Sequence, residues 1–118
     1  MVQFVEKSDD MNNAYFINEC AWNVFQRSNN KDELRSATSW IRHIFQIEPN
    51  NFYYVDTYAN LLYKVGRIDE AIFWEEKSLK IATDEKSEDY MKMFQEVIVK
   101  MKKGEPTWLV SEEKPKNQ

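Results

Sequence analysis

The chain has 118 residues, which is enough for one domain with a single hydrophobic core. With only two glycines and three prolines, it lacks the turn residues that β folds need, so an all-α class is expected. Its net charge of −4 comes from interspersed acidic and basic residues, and the absence of a basic patch argues against a nucleic-acid partner.

Two helices are predicted in the first half of the chain. From about 11 to 29, apolar residues recur at three- and four-residue spacing, which is typical of an amphipathic helix. The polar residues at 28–30 end this pattern. A second helix is predicted at about 31–47 and stops before Pro49, because proline disfavours helical geometry in the residue that precedes it.

Three more helices are predicted in the second half. The third spans about 51–65 and is followed by Gly66, at the place where a left-handed C-cap is needed. The fourth spans about 68–82. The fifth spans about 87–103 and ends at Gly104.

The helices repeat with a fixed period. Ala37 and Ala71 lie 34 residues apart, and a tryptophan follows each of them three residues later. When 18–51 is aligned with 52–85, apolar positions match over the whole period without a gap. A period of this length is typical of stacked helix–turn–helix repeats.

The second copy carries the residues of one well-formed repeat, namely Tyr58-Ala59, Leu62-Tyr63-Lys64, Gly66, Asp69-Glu70-Ala71-Ile72 and Lys77-Ser78-Leu79. With these residues the chain resembles the tetratricopeptide repeat (TPR) family over about 18–101. The resemblance implies a short right-handed α-solenoid of two repeats, at about 18–51 and 52–85, with a capping helix at about 87–103.

The expected domain organisation follows from these elements. A helical domain at 11–103 lies between a lead-in segment at 1–10 and a mostly polar tail at 104–118. Trp108 and its two apolar neighbours could fold back onto the helices. Because two repeats and one helix are a short array, self-association is an alternative way of completing the core.

The TPR resemblance also implies a concave groove. In this family the first helix of each pair lines a surface that binds extended peptides. The corresponding residues here are Glu19, Trp22, Gln26, Asn30, Tyr53, Asp56, Asn60, Tyr63 and Lys64. Aromatic rings beside amides suit peptide recognition, because the rings cover side chains while an amide binds the main chain.

The implied function is a non-catalytic interaction module that binds a peptide segment of another protein in this groove. Trp22 and Asp56 take the places of the basic residues with which chaperone-binding members hold a C-terminal carboxylate, which argues against an acidic ligand. The alternative is that Trp22 and Tyr53 pack against the lead-in or the tail.

A second resemblance suggests a different role. The stretches 56–63 and 74–77 are similar to repeat tails that follow thioredoxin-like domains in some bacterial proteins. This implies a structural appendage that packs on another domain of a longer protein. No C-x-x-C motif is present, so no disulfide chemistry is assigned to the chain.

The sequence gives little support for catalysis or for a bound cofactor. His43 is the only histidine and is expected on the surface, and the single cysteine, Cys20, is expected to be a small buried hydrophobe. No metal-ligand spacing and no glycine-rich phosphate loop occur. We therefore expect no enzyme activity, no metal and no cofactor. Glu75 and Glu76 are expected to form ion pairs at the rim.

Two further expectations concern membranes and compartment. No apolar run is long enough for membrane insertion, and no signal-peptide core follows Met1. This favours the cytoplasm, or the periplasm if the chain belongs to an exported protein.

Overall fold

The computed structural model describes residues 10–110 of the chain. These residues form five helices, which are α1 (Asp10–Arg27), α2 (Lys31–Phe45), α3 (Phe52–Val65), α4 (Ile68–Asp84) and α5 (Glu88–Lys103). No strand occurs between residues 10 and 110, so the predicted all-α class is confirmed. The predicted lead-in, apart from Asp10, and the end of the predicted tail lie outside the described residues.

Two asparagines begin the second and third helices. The side-chain oxygen of Asn30 accepts hydrogen bonds from the backbone N–H groups of Asp32, at 2.8 Å, and Glu33, at 3.1 Å. Asn51 accepts one from the backbone N–H of Tyr53, at 3.0 Å. The first N–H groups of a helix have no partner within the helix, so both side chains act as N-caps. Asn30, predicted as a groove residue, therefore has a structural role.

Gly66 ends α3 as predicted. Its φ of +102° lies in the left-handed region, and its N–H bonds back to carbonyls of the last turn of α3. The carbonyl of Val65 accepts a further bond from Nζ of Lys31, at 3.3 Å, so a side chain of α2 also caps α3. This turn fixes the direction in which α4 leaves α3.

Small side chains lie in the core between the packed helices. Each helix packs against the next one in sequence, and α1 also contacts α3. Ala21, Ala37, Ala59 and Ala71 are each fully buried. An alanine side chain ends at Cβ, so a neighbouring helix can approach its backbone closely.

Aromatic rings fill the space around these crossings. The ring of Phe45 on α2 lies with its centroid 5.0 Å from that of Tyr58 on α3 and 5.4 Å from that of Trp74 on α4. A second cluster holds α5, where Phe94 lies 5.4 Å from Phe52 on α3 in an edge-to-face contact. None of the helices between residues 10 and 110 has the length and apolar character that a bilayer crossing requires.

Replacing Ala71 by leucine tests the crossing of α3 and α4. We expect Ala71→Leu to lower the free energy of unfolding by about 1–3 kcal/mol, because a fully buried position has no room for added methylenes. Urea unfolding followed by circular dichroism measures the change. Ser39→Leu, at an exposed position of α2, is the control and should leave stability nearly unchanged. Equal stability of wild type and Ala71→Leu would contradict the close crossing.

Candidate functional site

The predicted groove residues differ widely in exposure. Those that are exposed are Glu19, Asn30 and Tyr53, and those that are half-buried are Trp22, Gln26, Asp56 and Lys64. Asn60 and Tyr63 are buried, with 1% and 6% of their surface exposed. These last two side chains therefore do not lie open to a ligand, which corrects the groove assignment at these positions.

One end of the predicted groove is covered by the chain's own tail. The Trp108 ring lies with its centroid 6.2 Å from that of Phe25 on α1 and 6.0 Å from that of Tyr63 on α3. Nζ of Lys64 lies 5.0 Å from the centroid of the Trp108 ring, within cation–π range. The tail therefore folds back onto the helices at this end.

Hydrogen bonds hold the tail in place. The Tyr63 hydroxyl donates to the carbonyl of Glu105, at 2.7 Å, and the backbone N–H of Leu109 donates to Oε1 of Gln26, at 2.9 Å. Nζ of Lys64 donates to the carbonyl of Phe25, at 2.6 Å, in the last turn of α1, and burial lowers the pKa of this amine. Gln26, Tyr63 and Lys64, predicted to bind a peptide, are thus engaged within the chain.

Trp22 is also engaged with the core. Its ring centroid lies 4.8 Å from that of Phe25, and its half-buried side chain packs on the core cluster. Trp22 thus packs on α1 itself and on the core, whereas the alternative interpretation placed it against the lead-in or the tail. Tyr53 differs, because 49% of its surface is exposed.

The other end of the face carries an open pocket. Its volume is about 440 Å³, and it lies between α1, the start of α3 and α5. We call it the tyrosine pocket, and its lining residues are Tyr15, Asn18, Glu19, Asn51, Tyr53, Tyr54 and Tyr90. Of the residues predicted from the sequence, Glu19 and Tyr53 line it.

The walls of the tyrosine pocket are aromatic and its base is polar. The Tyr53 and Tyr90 rings meet edge to face, with centroids 5.3 Å apart and planes at 86°. A side-chain hydrogen bond between these two tyrosines raises the pKa of Tyr90. Asn18 is only 8% exposed, and within the described part of the chain its Oδ1 has no hydrogen-bond partner. A buried unpaired acceptor is costly, so a donor that reached this atom would be favoured.

A pair of carboxyl groups lies between α3 and α4, one turn along α3 from Tyr53. Asp56 accepts a hydrogen bond from Nδ2 of Asn60, at 2.9 Å, and the same nitrogen donates to the Asp56 carbonyl. Glu75 on α4 is fully buried, and no N–H or O–H group between residues 10 and 110 donates to either of its oxygens. A proton held by Glu75 lets it donate to Asp56 instead.

Burial is the main cause of the raised pKa values of this pair. It raises the pKa of Glu75 well above its ordinary value, and the charge of neighbouring Asp56 raises it further. Burial also raises the pKa of Asp56 to about 6, while hydrogen bonds from Glu75 and Asn60 act in the opposite direction. Burial thus favours the protonated form of both carboxyl groups.

The expectation of a rim ion pair is wrong for Glu75. Its position corresponds to Ile41 in the first copy, 34 residues earlier, and both side chains are fully buried. The next residue, Glu76, is exposed and pairs with Lys102 of α5 at 3.8 Å. The second copy thus has a carboxyl side chain at the position where the first copy has an aliphatic side chain.

Other residues singled out for chemistry lie apart from the pocket. His43 is exposed on α2, and Cys20 is a free, partly exposed thiol on α1. The side chains described from residue 13 to residue 110 bring together no group of three or more His, Cys, Asp and Glu residues that could hold a metal ion.

Comparison with known proteins assigns no family. No family model, no curated protein and no solved structure matches this chain. The chemistry of the tyrosine pocket and of the carboxyl pair is therefore the basis for a function.

The buried carboxyl pair predicts a pH-dependent stability. Both folded-state pKa values are raised, so the folded state binds protons more tightly than the unfolded one. The stabilisation is fully present below the ordinary Asp value of 3.8 and is lost as pH rises through the folded value of about 6. We expect the free energy of unfolding to fall by about 1–3 kcal/mol between pH 4 and pH 8.

Glu75→Gln tests the origin of this dependence. The amide stays neutral and can still donate to Asp56, so the variant should show a shallower pH dependence and greater stability than wild type at pH 8. Glu76→Gln, at an exposed position, is the matched control and should keep the wild-type dependence. Urea unfolding at several pH values measures both, and an unchanged slope in Glu75→Gln would exclude the pair as its source.

The tail contact predicts unequal effects of two neighbouring substitutions. Trp108→Ala should lower the free energy of unfolding by about 1–2 kcal/mol, because a half-buried aromatic side chain loses its contacts with Phe25 and Tyr63. Leu109→Ala should be nearly neutral, since Leu109 is 73% exposed and bonds through its backbone. Thermal melts distinguish the two, and equal effects would contradict the docked tail.

Proposed function

We propose that the chain is a short TPR-type α-solenoid that binds a peptide segment of another protein on the face formed by α1, α3 and α5. The ligand lies at the open end of this face, over the tyrosine pocket, because the tail covers the other end. The module is non-catalytic.

The agreement between sequence period and burial supports the repeat architecture. Ala37 and Ala71, 34 residues apart, are both fully buried, and the tryptophans that follow them are both half-buried. Each helix packs on the next in sequence, as in stacked repeats. The left-handed turn at Gly66 agrees with the place of the glycine in the TPR pattern.

The observation that carries the binding function is the tyrosine pocket itself. It combines exposed aromatic surface, from Tyr15 and Tyr53, with a buried acceptor on Asn18 that has no partner within residues 10–110. Large rings beside unpaired polar atoms are typical of surfaces that anchor a partner's side chain. Its lining lacks a nucleophile–base pair, which favours binding over catalysis.

A random peptide library displayed on phage and selected on the purified chain tests this proposal. Peptides selected on the wild type should bind Tyr53→Ala about tenfold more weakly or worse, because the substitution removes an exposed wall of the pocket. Phe73→Ala is the matched control, since Phe73 is a 60% exposed aromatic on α4, outside the pocket lining. Circular dichroism verifies that both variants are folded.

Retained binding by Phe73→Ala and loss by folded Tyr53→Ala would support the groove. Equal loss or equal retention in the two variants would overturn the proposed site. Selection of no peptide at all would favour the alternative role, a structural appendage of a longer protein.

A further inference from the structure

We propose that the tyrosine pocket receives the side chain of a lysine or arginine, so that the bound segment is a basic peptide. This inference rests on the proposed function and names its ligand class. Its support comes from the charge, the unpaired acceptor and the rings of the pocket.

Charge is the first argument. Among the residues that line the tyrosine pocket, the only charged side chain is that of Glu19, and no lysine, arginine or histidine lines it. The carboxylate of Asp56 lies close enough to Tyr90 to raise the pKa of that phenol. A cation entering the pocket thus meets Glu19 in its lining, with Asp56 near Tyr90, whereas an acidic side chain would be repelled by both.

The unpaired acceptor is the second argument. Asn18 lines the pocket, and its Oδ1 is buried and has no hydrogen-bond partner within residues 13–110. The amide of the neighbouring Asn51 is already used, because it accepts from the Tyr53 N–H and donates to Glu48 at 2.9 Å. An apolar ligand would leave Oδ1 of Asn18 unpaired, whereas an ammonium or guanidinium group donates to it. The pocket therefore discriminates against an apolar side chain of equal length.

The rings are the third argument. Tyr53 and Tyr90 stand perpendicular to each other, and Tyr15, across on α1, is 62% exposed. Aromatic faces attract cations through their quadrupole, and groups of rings around one site are used to recognise quaternary ammonium ligands. The aliphatic stem of a lysine or arginine packs on the same rings.

Four peptide pools test the ligand class directly. Each pool contains nonapeptides with random flanks and one fixed central residue, which is lysine, arginine, norleucine or glutamate. We expect the lysine and arginine pools to bind the purified chain at least about tenfold more tightly than the norleucine pool. The glutamate pool should bind worst. The preference for lysine and arginine should weaken with added salt.

Two pocket variants test the assigned atoms. Glu19→Gln should reduce the lysine-over-norleucine ratio about threefold or more, because it removes the charge without changing the shape. Asn18→Leu should shift preference toward norleucine, since the unpaired acceptor is gone. Glu96→Gln, an exposed acidic residue of α5 outside the pocket lining, is the control and should keep the wild-type ratio. Thermal melts confirm that each variant is folded.

The outcomes separate the two proposals. If pools bind in a Tyr53-dependent manner but lysine and norleucine pools bind equally, or the glutamate pool binds best, the basic-ligand inference fails and peptide binding stands. If no pool and no library peptide binds, both fail. A wild-type ratio in folded Glu19→Gln and Asn18→Leu would overturn the roles assigned to these residues.

Discussion

The arrangement of the described helices depends on close crossings at small side chains. Ala21 and Ala59 are fully buried, as are Ala37 and Ala71 on the helices that follow. A larger side chain at any of these crossings would push the helix axes apart, because protein interiors are close-packed. With the axes held near, α1 and α3 come into contact, and α3 in turn presents Phe52 and Tyr53 to the rings of α5. The tyrosine pocket exists because these three helices are brought together at one end.

The carboxyl pair lies directly behind this end of the face. A buried carboxyl group gives no net stabilisation unless it keeps a proton or gains a partner, and within residues 13–110 neither oxygen of Glu75 has a hydrogen-bond donor. Asn60 fixes the position of Asp56 through two hydrogen bonds. Burial and the charge of Asp56 favour the protonated form of Glu75. Asp56 in turn lies close enough to Tyr90, which lines the tyrosine pocket, to raise the pKa of that phenol.

Much of the fold could be predicted from the sequence, because helix periodicity and capping are local. The five helices were predicted close to their observed bounds, and Gly66 ends α3 with the positive φ that its position implied. The site was predicted less accurately, because it depends on contacts between residues that are far apart in the sequence. The TPR pattern shows which positions face a groove, but it does not show that the tail covers Tyr63 and Lys64. The pattern also begins after Tyr15, so a wall of the pocket lies outside it. Tyr90 belongs to the predicted capping helix, outside the two repeats.

The docked tail affects two properties of the face formed by α1, α3 and α5. It limits how much of the face is open, and it affects which charged residues lie at the open end. Lys64 is the only basic residue among those predicted to line the groove, and it could have neutralised the acidic groups there. It is instead held under Trp108, where it donates to the Phe25 carbonyl and where burial lowers its pKa. Its donors are thereby used to cap α1 and to hold the tail. Lys64 therefore does not line the tyrosine pocket, where Glu19 is the charged residue, and the docked tail agrees with the basic ligand that we propose.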